Sequence, residues 1–213
     1  MIHILCFGDS NTYGYKPDGT GRFDENTRWT GLLQKKLGTE FRVIEEGLCG
    51  RTTVFQDEFR EGRRGVDAIG TIVETHNPID VLIIMLGTND CKSRYGASAG
   101  IIAKGLEQII VKAREKSSQK FKLLVISPIH LGKGVGDEAF DPEFDSDSER
   151  VSLNLAKEYK KVSEANDVLF LDASTYATPS SIDREHMDEA GHQALADGIF
   201  NILQKNYTDF SLD

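Results

Sequence analysis

The sequence predicts a doubly wound α/β fold, a three-layer sandwich with a central five-stranded parallel sheet and helices on both faces. Three observations lead there. Apolar runs of strand length recur along the chain at residues 2–7, 41–44, 81–86, 122–127 and 168–172. Segments of helical length separate them, and a β-α-β-α alternation is satisfied by a parallel sheet with right-handed crossovers. The third run, Val81-Leu82-Ile83-Ile84-Met85-Leu86, is apolar without alternation, as a strand covered on both faces must be.

The elements follow in order. Ile2–Phe7 is a strand that stops abruptly at Gly8-Asp9-Ser10-Asn11. Trp29–Leu37 gathers Trp29, Leu32, Leu33 and Leu37 on one helical side before the strand Phe41–Ile44. After the third strand, Ala99–Lys116 sets Ile102, Leu106, Ile109 and Ile110 at helical spacing. Lys122–Ser127 is the fourth strand, Ser148–Ala165 a helix, Val168–Asp172 the fifth strand and Asp188–Leu203 the last helix. With 213 residues, 39% of them hydrophobic, and neither repeat nor Pro/Ser-rich linker, residues 1–213 read as one domain.

Charge narrows the partners. A net charge of −9 and a pI of about 5.1 disfavour nucleic acid and anionic membranes, which reward clustered Lys and Arg. No stretch reaches the apolar length of a membrane span. Residue 2 already begins a strand, so no secretory leader is expected, and three cysteines without paired spacing suit a reducing compartment. The expected location is cytoplasmic. No His/Cys/Asp group shows ligand spacing, so no metal or other cofactor is expected.

Residues 132–149 stand apart, with three glycines followed by seven acids. The favoured reading is a solvated loop ending in a helix N-cap at Asp147 or Ser148. The acidic run lacks the turn glycine of a calcium loop. A lid is the second reading, with Phe140 and Phe144 facing a pocket.

Four segments carry chemistry. The turn at Gly8-Asp9-Ser10 lifts a hydroxyl to the carboxyl edge of the sheet, where α/β folds bind ligands. Glu46-Gly47-Leu48-Cys49-Gly50 follows the second strand, and a glycine there can point a backbone N–H into a site. Gly87-Thr88-Asn89-Asp90 follows the third strand, and the Asn89 amide is a neutral donor suited to an oxyanion. Asp183 and His186, three residues apart after the fifth strand, can pair through Nδ1 and leave Nε2 to take a proton from a serine. His192 shares a helical face with Leu195 and Ile199 and reads as packed. His130 follows Pro128 and could line a pocket; His3 and His76 read as structural. Each segment has an ordinary alternative as a turn or cap, but together they place a hydroxyl, an N–H, an amide and an Asp–His pair after four of the five strands.

Gly8-Asp9-Ser10, Gly50, Gly87-Thr88-Asn89-Asp90 and Asp183-Arg184-Glu185-His186 resemble the four blocks of the GDSL or SGNH esterase/lipase family, over residues 8 to about 200. The stretches 44–48 and 86–92 look most like its arylesterase and acyltransferase branch. The resemblance implies Ser10 as nucleophile, His186 as base and Asp183 as its orienting acid. It implies an oxyanion hole built from the N–H groups of Ser10 and Gly50 with the Asn89 amide. It also implies a flavodoxin-like strand order, no metal, and homo-oligomers among the relatives of that branch. Two positions depart: Asn11 stands where the family motif usually has Leu, and Glu45 where many members have Asn. Both bear on the acyl pocket, so Asn11, His130, Phe140 and Phe144 are candidate substrate contacts.

The expected function is therefore cleavage of small carboxylic esters through an acyl-enzyme. Within the same family a lysophospholipase, a thioesterase or a carbohydrate acetylesterase is the alternative. From a different class, a flavodoxin-like binding domain would hold phosphate at Gly8–Thr12, and a Cys49/Cys91 thiol pair is a third reading.

Overall fold

The computed structural model describes residues 1–206. Strands β1 (Ile2–Gly8), β2 (Phe41–Gly47), β3 (Val81–Met85), β4 (Lys122–Ser127) and β5 (Leu169–Asp172) form one parallel sheet in the order β2-β1-β3-β4-β5. A four-residue helix, α1 (Ser10–Tyr13), follows β1 directly. The longer helices are α2 (Trp29–Leu37), α3 (Gly65–His76), α4 (Ala99–Lys116), α5 (Ser146–Ala165) and α6 (Glu189–Asn206).

Strand alternation divides the apolar residues between two layers. Leu5 and Phe7 of β1, Leu82 and Ile84 of β3 and Val125 of β4 face α3, α4 and α5, where Ile69, Leu106 and Leu155 meet them. Ile4 and Cys6, Ile83 and Met85, and Leu124 and Ile126 face α2 and α6, packing with Trp29, Leu33 and Ile199. All of β3 is buried because both layers close over it. Trp29 is fully buried, and its indole N–H donates to the Asn11 carbonyl at 3.1 Å, so the α2 layer is tied to the loop after β1.

The boundaries shift in places. Strand β2 runs to Gly47 because its last residues continue the β1 register, Cys6 with Glu45 through Gly8 with Gly47. Helix α5 starts at Ser146, capped by Asp145 rather than Asp147 or Ser148; the Asp145 carboxylate accepts from the Ser148 N–H at 2.8 Å in a reciprocal capping box. Helix α3 has no counterpart in the expected elements. Its Gly70, Thr71, Ile72, Val73 and Thr75 are weak helix formers, and packing of Val66, Ile69 and Val73 on the sheet supplies what propensity does not.

The chain turns from β2 back across β1 to β3, so the connections after β1 and β3 leave in opposite directions. That switch point opens a crevice at the carboxyl ends of these two strands. Among the described residues no helix is long and apolar enough to cross a membrane.

Candidate active site

Ser10 sits at the crevice because β1 ends on a glycine that nothing else could replace. A Cβ on Gly8 would lie 2.0 Å from Thr12 Oγ1 and 2.8 Å from the Met85 carbonyl. Asp9 then caps α1, its Oδ1 accepting from the Asn11 N–H at 3.0 Å, and Ser10 opens the helix. Burial pushes the Asp9 carboxyl up to about 7, only partly offset by that N–H.

Opposite lies a turn organised by one carboxylate. Asp183 Oδ1 accepts from the backbone N–H groups of Glu185 and His186, both at 3.0 Å, while Oδ2 accepts from His186 Nδ1 at 2.6 Å. This fixes the ring tautomer and aims Nε2 at Ser10, whose hydroxyl donates to it at 2.8 Å. Arg184 adopts a left-handed conformation, φ 62°, at the tip of the turn. Its guanidinium holds the turn in place by donating to the Lys133 and Gly134 carbonyls at 2.7 and 3.0 Å. Burial alone lowers the His186 pKa, but the Glu185 carboxylate and the Asp183 hydrogen bond outweigh it, and the net shift is upward.

The loops after β2 and β3 supply the facing wall. Gly50 takes a left-handed φ of 82° and lets the Arg60 guanidinium approach within 2.6 Å of where its Cβ would stand. Buried Arg51 donates to the Gly8 carbonyl at 2.9 Å, and its own carbonyl accepts from Asn89 Nδ2 at 3.2 Å. One amide hydrogen of Asn89 thereby locks the side chain, and the second is left for the crevice. Asp90 ties the two loops together by accepting from the Thr53 N–H at 2.9 Å and from its hydroxyl; burial raises its carboxyl to about 6.

The resulting cleft has a volume of about 370 Å³. Ser10, Gly50, Asn89 and His186 line it together. Among the residues predicted to contact substrate, Asn11 is a staple: its Oδ1 accepts from the Met187 N–H at 3.0 Å and its Nδ2 donates to the Glu185 carbonyl at 3.4 Å. It binds the helix that begins at Ser10 to the histidine turn, which is why an amide serves there. Phe144 is buried in the core beneath α5, Phe140 stacks on the Arg184 guanidinium at 3.8 Å, and half-buried His130 lies outside the cleft lining. The loop of residues 132–149 instead contributes acids to the wall, Asp141 and Glu143, and Glu143 pairs with Lys92 and Arg94.

Sequence reading did not find Tyr15, Phe59, Arg60, Lys92, Asp141, Glu143 or Glu185 as cleft residues. Glu185 alone carried a signal, its place between Asp183 and His186. The others come from loops whose paths depend on the packing of the whole chain. Glu45, the second departure, is held by Arg28 at 2.6 Å and Arg22 at 3.0 Å, an ion-pair group behind β2. Burial pushes the thiols of Cys49 and Cys91 up, away from the thiolate form that a thiol reaction uses. His192 is fully buried, with Nδ1 accepting from the Trp29 N–H at 3.3 Å, and burial lowers its pKa to about 4.

A serine hydroxyl held on an imidazole that a carboxylate orients is the arrangement an activated nucleophile needs. Residues 6–194 match the model of the GDSL-like lipase/acylhydrolase family. A carbohydrate acetylesterase family member from Sinorhizobium meliloti is 32% identical, with a TM-score of 0.89 over 96% of this chain and 98% of its own. The aryl esterase of M. smegmatis is 31% identical, with a TM-score of 0.88 over 96% of this chain and 99% of its own. None of the curated proteins compared matches the chain. The chain belongs to the GDSL-like lipase/acylhydrolase family and is a hydrolase acting on esters.

Proposed function

We propose that the protein cleaves small carboxylic esters through an acyl-enzyme on Ser10. The observation that carries this reading is the continuous relay from Asp183 Oδ2 to His186 Nδ1 at 2.6 Å and from Nε2 to Ser10 Oγ at 2.8 Å. In this reading His186 takes the hydroxyl proton as Ser10 Oγ attacks the carbonyl, then returns it to the departing alcohol. The carbonyl oxygen, now anionic, is met by the N–H groups of Ser10 and Gly50 and by the free amide hydrogen of Asn89. Water or a second alcohol, deprotonated by His186 in turn, resolves the acyl-enzyme.

Asn89→Ala is expected to lower kcat by roughly 10²–10³ with little change in KM, because the donor acts most once charge has developed. Steady-state kinetics on p-nitrophenyl acetate checks this, and an unchanged kcat would leave Asn89 as a turn residue.

Preference for short acyl groups rests on the walls. Arg60, Lys92, Asp141 and Glu143 surround the cleft, so an extended chain would lie against charges and forgo much of the ~0.8 kcal/mol per buried methylene. Along acetyl, butyryl, octanoyl and palmitoyl esters, kcat/KM is expected to peak at acetyl or butyryl and fall at least about tenfold by octanoyl. Efficiency rising to octanoyl would replace the small-ester reading with a lipase or thioesterase. The similarity to a carbohydrate acetylesterase supports the same short-acyl range.

A further inference from the structure

Glu185 is a cleft carboxylate that the relay does not use. It is 8% exposed, lines the cleft beside Ser10, and places Oε1 3.9 Å from His186 Nε2. Its backbone is fully engaged, the N–H with Asp183 and the carbonyl with Asn11, so the turn that carries the side chain is held in position. Its carboxylate oxygens hydrogen-bond to no described residue. The other acids differ: Glu143 is paired with Lys92 and Arg94, Asp57 with Arg60 and Arg94, and Asp141 accepts from the Glu143 N–H at 2.9 Å. A carboxylate that opens on the cleft with no protein donor keeps its acceptor oxygens for a bound molecule.

We infer that Glu185 is a specificity residue for the alcohol side of the ester, accepting a hydrogen bond from a free hydroxyl on the carbon next to the ester-bearing carbon. This rests on the reading of Ser10 and His186 above. The departing oxygen must come within about 3 Å of Nε2 to take its proton. A hydroxyl one carbon further along then falls beside Oε1, within an ordinary O–H···O⁻ bond of about 2.7 Å. The preferred substrates are monoacylated vicinal diols and polyols, and the same contact selects such diols as acyl acceptors. The cleft's mixed charge favours this neutral donor over the alternatives. Arg60 and Lys92 oppose an ammonium group, while Asp141 and Glu143 oppose an anion.

Three acetates test it. 2-Hydroxyethyl acetate carries the donor, propyl acetate has its size, and 2-methoxyethyl acetate has its electron withdrawal without the donor. The wild-type kcat/KM for the hydroxyethyl ester is expected to exceed both controls by about tenfold or more, the scale of one hydrogen bond to a charged group. Glu185→Leu is expected to bring the ratio to about one, and Glu185→Gln, which keeps an acceptor oxygen, to leave an intermediate preference. The near-isosteric Gln variant, with circular dichroism on both, guards against misfolding. A carboxylate that merely tunes His186 would shift all three esters alike and leave the ratio intact. A wild-type ratio near one, or a preference that survives Glu185→Leu, overturns the inference. So does a Glu185-dependent preference for acetylcholine over 3,3-dimethylbutyl acetate that exceeds the diol preference. Retention of 2-methoxyethyl acetate turnover in Ser10→Ala would instead refute the underlying serine mechanism, whatever the ratios.

Discussion

Ser10→Ala is expected to lower turnover of p-nitrophenyl acetate by about 10⁴-fold or more, the loss that follows removal of a nucleophile in serine hydrolases. The loss should fall on chemistry rather than on folding. Ser10 opens a helix capped by Asp9, and its hydroxyl donates only to His186 Nε2, so the methyl of alanine leaves the turn intact. The donors around the carbonyl also persist in the variant. A residual rate over water is therefore expected from the oxyanion groups and binding alone. A fluorophosphonate probe supplies the second arm, because it bonds to an activated serine and not to a phosphate-binding loop. Mass spectrometry should find the adduct on Ser10 in the wild type and none in the variant. Near-normal turnover in Ser10→Ala, or labelling elsewhere, would overturn the mechanism and reopen the phosphate-binding alternative for Gly8–Thr12.

Asp183→Asn carries the second large effect, a fall of about 10⁴-fold in kcat with the fold preserved. Asparagine keeps an oxygen for the Glu185 and His186 N–H groups, so the turn survives. The amide placed against Nδ1, however, is a donor. The imidazole must then carry its hydrogen on Nε2, the nitrogen that has to accept from Ser10. The pH profile gives an independent reading. The base works only when neutral, so activity is lost as pH falls through the His186 pKa. In the wild type that pKa is raised by Glu185 and Asp183 against the lowering effect of burial. The acid limb of kcat/KM is therefore expected above the ordinary histidine value of about 6.5, and removing the Asp183 charge should move it to lower pH. A variant within tenfold of wild type, or an acid limb that does not move, would show that the Ser10–His186 pair suffices.

Much of this molecule was legible along the chain because its determinants are local. The apolar runs are strands because β-branched and aliphatic residues there bury both faces, and the run at 81–86 does so without a polar interruption. The glycine at position 8 is needed by a contact with Thr12, four residues away, and the Asp183–His186 pair closes within one turn. Features of this range appear in sequence as spacing. Helix α3 was not legible, since Gly70, Thr71 and Thr75 speak against a helix and only the sheet beneath it overrules them.

The walls of the cleft were decided by tertiary structure. Asn11 and Glu185 are 174 positions apart, and only the meeting of the loops after β1 and β5 makes the first a staple rather than a substrate contact. Phe144 looked free to enter a pocket, yet the capping of α5 by Asp145 draws it beneath that helix into the core. Lys92 meets Glu143 across 51 positions, so the charge of the cleft depends on how two loops fold over each other rather than on either alone. The sequence by itself determined the strands and the Asp183–His186 pairing, because strand periodicity and one-turn contacts are properties of neighbours along the chain. Which side chains surround those groups was set by the close packing of distant segments, where a side chain's role follows from what lies across from it.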